Sequence, residues 1–180
     1  MARIEHISSY SVKSGDLFFF DNNVWMLLFS SAISGSRRRE QQIYNSLYGD
    51  IKCAGATIFT NALVASEYVN TNLRMGFKRW QRIPENYGKT DYKLDFRPTQ
   101  AFRNCRDVAY AELEQILKAS FRKPDDFNAI EPAQLLGALG ENMDFNDAYF
   151  VSYCALNNLI LVTDDQDMFG TPLDVRILTK

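Results

Sequence analysis

Leu17-Phe18-Phe19-Phe20 runs without a break into Asp21-Asn22-Asn23-Val24-Trp25, and this stretch limits the possible folds more than any other. An unbroken apolar run needs cover on both faces, as in a strand of a parallel sheet flanked by helices. Val24, Leu27 and Leu28 follow at helical spacing, so strand passes to helix at Asp21. That places an acid at the carboxyl end of a central strand, where open α/β sheets bind their ligands. A carboxylate there loses hydration unless something compensates it. Asp is also a preferred N-cap, so capping of the next helix is an alternative that this stretch leaves open.

A second run of the same kind lies near the end of the chain. Leu159-Ile160-Leu161-Val162 leads into Thr163-Asp164-Asp165-Gln166-Asp167-Met168, again a buried strand with acids at its tip. Before it, a helix opens at Asp144-Phe145-Asn146-Asp147 and runs through Val151, Tyr153, Cys154 and Leu156 to Asn157-Asn158. Asp144 and Asp147 share a face of that helix, though acids in a first turn also suit the helix dipole. Thr60-Asn61 reads as the cap of a long helix carrying Leu63, Val64, Tyr68, Leu73 and Phe77, with Glu67 on its second turn. Helices alternating with buried strands fold into a right-handed parallel sheet whose carboxyl ends share one edge. The expected class is α/β, a central parallel sheet covered by helices, formed by a single domain over residues 1–180.

The remaining segments are less regular. Residues 1–15 read as a polar leader and residues 77–99 as an irregular aromatic and basic insertion. Ser36-Arg37-Arg38-Arg39-Glu40 breaks the first helix and starts a second, with Ile43, Tyr44 and Leu47, that stops near Gly49-Asp50. Cys53–Phe59 and Phe127–Glu131 are expected as short strands. Pro98 or Thr99 starts a helix to about Ser120, and Pro132–Leu139 a short one.

Several absences narrow the chemistry. His6 is the only histidine, and neither GxGxxG nor GxxxxGK[ST] occurs, which argues against histidine bases, Ser-His-Asp triads and phosphate loops. Cys53, Cys105 and Cys154 form neither a disulfide framework nor a zinc pattern and are expected as buried thiols in a reducing cytoplasm. No secretory signal or membrane-length apolar run is visible. The net charge of −2 leaves any nucleic-acid contact to local basic patches. What remains in quantity is carboxylate. Asp21, Glu67, Asp147 and Asp165, brought to one edge, would repel one another unless a cation neutralised them. Mg²⁺ or Mn²⁺ suits such oxygen donors and supports in-line displacement at a phosphodiester.

From Leu17 to about Leu178 the chain resembles the PIN domains, VapC-type toxins in particular. The likeness rests on Phe20-Asp21-Asn22-Asn23, on Ala65-Ser66-Glu67-Tyr68, and on Asp147-Ala148 opening a helix that leads to Thr163-Asp164-Asp165-Gln166-Asp167. It implies a three-layer α/β/α sandwich and a metal-dependent endoribonuclease whose metal-site acids are Asp21, Glu67, Asp147 and Asp165. Asn23 and Thr163 would support that site and Asp167 would be an outer acid, with Asp144 beside them. It further implies RNA as substrate, an antitoxin protein as partner, and a homodimer. Met168 stands where the family has Phe, and the 77–99 segment and the leader are additions. A haloacid-dehalogenase-like phosphotransferase would need a second acid where Asn23 stands; a catalytically silent PIN-fold binding module is the other alternative. For RNA contact the candidates are Arg37, Arg38, Arg39, Lys78, Arg79, Trp80 and Arg82, through phosphate neutralisation and base stacking, unless Trp80 packs in the core. Phe77, Trp80, Tyr87, Tyr92 and Phe96 are expected to form a dimer or antitoxin contact, or else a lid folded on its own core.

Overall fold

The computed structural model describes residues 1–33, 35–139 and 143–180. Among the described residues six strands form one all-parallel sheet: β1 (Arg3–His6), β2 (Leu17–Phe20), β3 (Thr57–Thr60), β4 (Phe121–Arg122), β5 (Ile160–Val162) and β6 (Arg176–Thr179). Their spatial order is β1-β6-β5-β2-β3-β4, which makes the Phe-rich strand β2 central. Phe18, Phe19 and Phe20 are fully buried. Side chains alternate across a strand, and the contacts of β2 display both faces. Phe19 packs on Phe150 and Tyr153 of α6 (Phe145–Asn157), while Phe20 meets Trp25 of α1 (Asn22–Phe29). These are the helix, sheet and helix layers of an α/β/α sandwich.

The other helices are α2 (Arg38–Ala54), α3 (Ala62–Gln81), α4 (Gln100–Ala119) and α5 (Pro132–Ala138). The second helix outlasts the expected stop at Gly49-Asp50, because Tyr44, Leu47 and Ile51 continue one buried stripe. It ends instead at Gly55, whose φ of 68° suits a residue without Cβ. The first helix ends earlier than expected, at Ser30. Cys53 therefore belongs to α2 and is exposed, Cys105 is half-buried, and only Cys154 is a buried thiol.

Two expected segments change character. The polar leader contains β1, which pairs with β6 from Arg3↔Arg176 to His6↔Thr179; at the sheet's edge it buries little and carries no apolar run. Phe127–Glu131 is not a strand, since Phe127–Ala129 is a 3-10 turn. The outer strand is Phe121–Arg122, paired with Phe59 and Thr60 and followed closely by Pro124, which cannot donate to a ladder.

Residues 77–81 belong to α3, and the segment beyond folds back on that helix. Phe96 on a π-helical turn (Tyr92–Phe96) is fully buried. Its ring lies 5.4 Å from those of Phe77 and Trp80 and 5.6 Å from that of Phe102 on α4. Gly76 permits this close approach: a Cβ there would meet Cys105 Sγ at 2.6 Å. The aromatic residues form a small core of their own, and of the five expected at a contact only Tyr87 is left largely exposed.

Candidate active site

Asp21, Thr163 and the acids that follow leave the sheet at one edge because β2 and β5 are parallel neighbours in register Phe20↔Val162. The N–H of Asp21 continues that ladder to the Val162 carbonyl at 3.0 Å. Asp21 is only 5 % exposed. Its Oδ1 accepts from the Asn22 N–H at 2.5 Å, capping α1, and its Oδ2 accepts from the Thr163 hydroxyl at 2.8 Å. Cap and candidate ligand are thus the same carboxylate, one oxygen for each neighbour.

Thr163 Oγ1 joins the two strand tips. It accepts from Asn23 Nδ2 at 3.1 Å and from the Asp165 N–H at 3.0 Å. Two incoming donors leave its own proton for Asp21. Asn23 Oδ1 in turn accepts from the Asp164 N–H at 3.2 Å. Asn23 and Thr163 thus fix the loop after β5 against the start of α1.

Glu67 on α3 accepts a short hydrogen bond from Asn146 Nδ2, which ties α3 to the first turn of α6. Asp144 caps α6, accepting from the N–H groups of Asn146 at 2.8 Å and Asp147 at 3.0 Å; Asp147 Oδ2 accepts in return from the Asp144 N–H. This reciprocal box is why Asp144 and Asp147 stand together. Asp165 caps the 3-10 turn Gln166–Gly170 through the N–H of Asp167.

The carboxyls feel one another. Burial pushes Asp21 up to about 7 despite its bonds from Thr163 and Asn22, and the charges of Glu67 and Asp147 add to the rise. Glu67 also rises to about 7, by burial, against Asn146 and with Asp144 and Asp147 adding. Asp147 rises to about 6, by burial and then by Asp144, with Asp165 and Asp167 contributing. Burial also raises the Cys154 thiol, helped by the charge of Asp21.

Among the described residues no three His, Cys, Asp or Glu side chains form a group placed to share one metal ion. The donors nevertheless fit a hard divalent cation in kind and charge. They are carboxylate oxygens whose common burden is mutual repulsion and lost hydration, and Mg²⁺ takes few protein ligands, completing its shell with water and substrate phosphate.

Two residues of this edge carry no role that the sequence discloses. Asn146 is one, although Asp144-Phe145-Asn146-Asp147 holds it between two candidate acids. Asp164 is the other: it accepts from Arg37 at 2.5 Å, Lys180 at 2.9 Å and the Tyr44 hydroxyl at 3.3 Å. Nothing in the sequence pairs residues this far apart.

The expected basic group divides. Arg37, Lys78, Arg79 and Arg82 line one cleft of about 380 Å³ with an apolar floor of Ala32, Ile33 and Met75. Arg38 and Arg39 are exposed, and Arg39 lines a different cleft with Glu40 and Lys180. Trp80 does not offer a free face: it is 8 % exposed, stacks on Phe77 and carries the Lys89 ammonium 5.3 Å above its ring. The aromatic core takes up its apolar surface. A cleft of about 330 Å³ lined by Arg3, Asp16, Asp174 and Arg176 contains none of the candidate acids.

Fold and edge together define an all-parallel α/β/α protein with converging acids. The same fold occurs in the crystal structure of VapBC2 from Rickettsia felis bound to a DNA fragment from their promoter. A chain of that complex superposes with a TM-score of 0.52 at 12% identity, over 91% of this chain and 99% of that one. Identity this low establishes fold, not function. The sequence matches no protein-family model and no curated protein. Among the described residues no helix is long and apolar enough to cross a membrane.

Proposed function

We propose that this protein is a metal-dependent endoribonuclease of the PIN type, acting as one domain and hydrolysing RNA phosphodiester bonds at the β2–β5 edge. The reading is carried by three neighbouring carboxyls held near neutrality, Asp21 and Glu67 at about 7 and Asp147 at about 6. Perturbed acids gathered at a sheet's carboxyl edge mark candidate functional sites. Asp21, Glu67, Asp147 and Asp165 would hold Mg²⁺ or Mn²⁺, which when bound supplies Lewis acidity toward phosphate and a lowered pKa for water.

The chain's own groups prepare that edge. The Thr163 hydroxyl holds Asp21 Oδ2 in one orientation, and the Asn22 N–H holds Oδ1. Asn146 orients Glu67. Asp144 and Asp167 add negative charge at the margin. Lys78, Arg79 and Arg82 bring cationic charge, suited to backbone phosphates, to a cleft that Arg37, paired with Asp164, also lines.

The fold shared with a chain of a VapBC2 complex supports a toxin role with an antitoxin protein as partner, and a homodimer of this chain belongs to the same reading. So does a cytoplasmic setting, where Cys53, Cys105 and Cys154 would stay reduced.

The test is incubation of the purified protein with single-stranded RNA in Mg²⁺, Mn²⁺ and chelator. Cleavage is expected with either metal and none in chelator or with Asp21→Asn. A second reading, a silent binding module, draws on the lack of a ready-made three-ligand group among the described residues; RNA binding without cleavage in both metals would establish it. Phosphate release from a small phosphomonoester without RNA cleavage would instead favour the phosphotransferase, whose second acid is replaced by Asn23.

A further inference from the structure

A separate cleft opens on the other side of β3, between β4 and the start of α3. It has a volume of about 590 Å³ and is lined by Thr60, Ala62, Ala65, Leu117, Arg122 and Lys123, among others. We propose that it is a nucleotide subsite for the RNA strand, distinct from the Arg37 cleft. This rests on the ribonuclease reading above and adds to it a place and a chemistry for a flanking nucleotide.

Independent features converge there. Arg122 is exposed and makes no ion pair among the described residues, while Lys123 is held only by a long contact to Asp126 at 3.5 Å. The cleft lies at the amino end of a 20-residue helix, where the dipole favours an anion. Thr60, one of the lining residues, is 1 % exposed and its hydroxyl has no hydrogen-bond partner among the described residues, a cost unless a ligand or water supplies one. The rest of the wall is Leu117, Ala62, Ala65 and Pro124, apolar surface against which a base can lie. Cations and a helix terminus for phosphate beside an apolar wall for a base match a nucleotide.

Its position suits a strand already engaged by the acids. Thr60 ends β3, the neighbour of β2, so the cleft shares the carboxyl edge with Asp21 at a spacing of roughly 5–10 Å, one or two strands away. Ala62 and Glu67 are both on α3, about 8 Å apart along its axis at roughly 1.5 Å per residue.

The experiment measures binding of a short and a long single-stranded RNA by fluorescence anisotropy, in chelator to prevent cleavage, across a salt series. Arg122→Ser with Lys123→Ser should weaken binding of the long RNA severalfold while leaving the short RNA unchanged. The salt slope for the long RNA should fall by about 0.7 for each phosphate that is no longer neutralised. Ala62→Glu guards against a folding artefact. Ala62 is exposed, an acid in the first turn favours the helix, and yet it repels phosphate, so binding should fall while melting temperature holds or rises. The subsite is overturned if wild type binds and cleaves RNA while both variants keep wild-type affinity and salt slope. If wild type neither binds nor cleaves RNA, the ribonuclease reading falls and takes the subsite with it.

Discussion

The tips of β2 and β5 are adjacent, parallel and both acidic, yet their acids meet opposite fates. Asp164 at the β5 tip is answered by Arg37 and Lys180, two cations from distant parts of the chain. Asp21 at the β2 tip is answered by a hydroxyl and an amide, and by other acids. One is an ion pair that fastens the start of α2 and the chain end to the sheet. The other is a carboxylate kept at a buried place without a counter-charge among the described residues, which a protein tolerates where a ligand brings that charge. Identical residue types at equivalent tips are therefore not equivalent; what distinguishes them is whether the fold delivers a cation.

The largest effect expected from breaking this contrast is on activity. Asp21→Asn should lower RNA cleavage by at least about 10²-fold, the scale of losing one electrostatic group at a reacting centre. Asp164→Asn should leave most of it. Single-turnover cleavage in Mn²⁺ compares the two, and equal losses would erase the distinction between the tips.

The pH dependence of stability comes next. The Asp21 carboxyl goes from an ordinary 3.8 to about 7 in the folded protein, so between those values the native state holds more protons than the unfolded chain. Stability then falls as pH rises through that window, and Glu67 and Asp147 act in the same direction. Metal-free protein should be more stable at about pH 5 than at about pH 8 by up to a few kcal/mol, because each pH unit crossed within the window is worth roughly 1.36 kcal/mol. Asp21→Asn should flatten that slope. With Mn²⁺ present the trend should reverse above neutrality, because a cation binds the deprotonated acids. Thermal melts across pH in chelator check this, and a metal-free protein that gains stability on going to alkaline pH would contradict the raised carboxyls.

A smaller effect, of opposite character, is expected at the other tip. Asp164→Asn should cost about 1–3 kcal/mol in denaturant unfolding, less than the roughly 3–5 kcal/mol of a fully buried broken pair because Arg37 is partly solvated. High salt should narrow the difference from wild type. Asp21→Asn in chelator removes repulsion at nearly constant volume but leaves either the Thr163 hydroxyl or the Asn22 N–H without an acceptor; the two offset, and the net change should be smaller than that of Asp164→Asn.

An effect on stability of similar size concerns the joint between the tips. Thr163→Val keeps shape but removes the oxygen shared by Asp21, Asn23 and Asp165. A loss of about 1–3 kcal/mol is expected, with Mn²⁺ affinity down by about 10-fold or more, the scale of losing a group that orients a ligand. Calorimetric titration of Mn²⁺ gives the second value, and unchanged affinity would reduce Thr163 to a packing residue.

The contrast between the tips also separates what is legible in the chain from what is not. Leu17–Phe20 and Leu159–Val162 read as strands with cover on both faces, because they are unbroken apolar runs too short for a helix and bounded by polar turns. Asn61, Thr99 and Asp144 announce their helices by capping chemistry that acts within three residues. From these follow the parallel sheet covered by helices and the presence of Asp21 and the Asp164–Asp167 group at one edge. Local patterning suffices there because its cause is local or periodic.

Tertiary structure decided the rest. The edge strand β1 and the two-residue β4 carry no apolar run and exist because a neighbour offers a free ladder. The sequence leaves Trp80 and Phe96 open between a contact surface and a core of their own, and the close approach of α3 and α4 at Gly76 decides for the core, burying them against each other. Arg37 is one of three equivalent arginines in the sequence; the fold sets it on Asp164, 127 positions along the chain. Pairing of distant charges and sharing of apolar surface depend on which elements become neighbours. The sequence determined the acids and their edge; only the fold determined which acid would be neutralised by the chain itself.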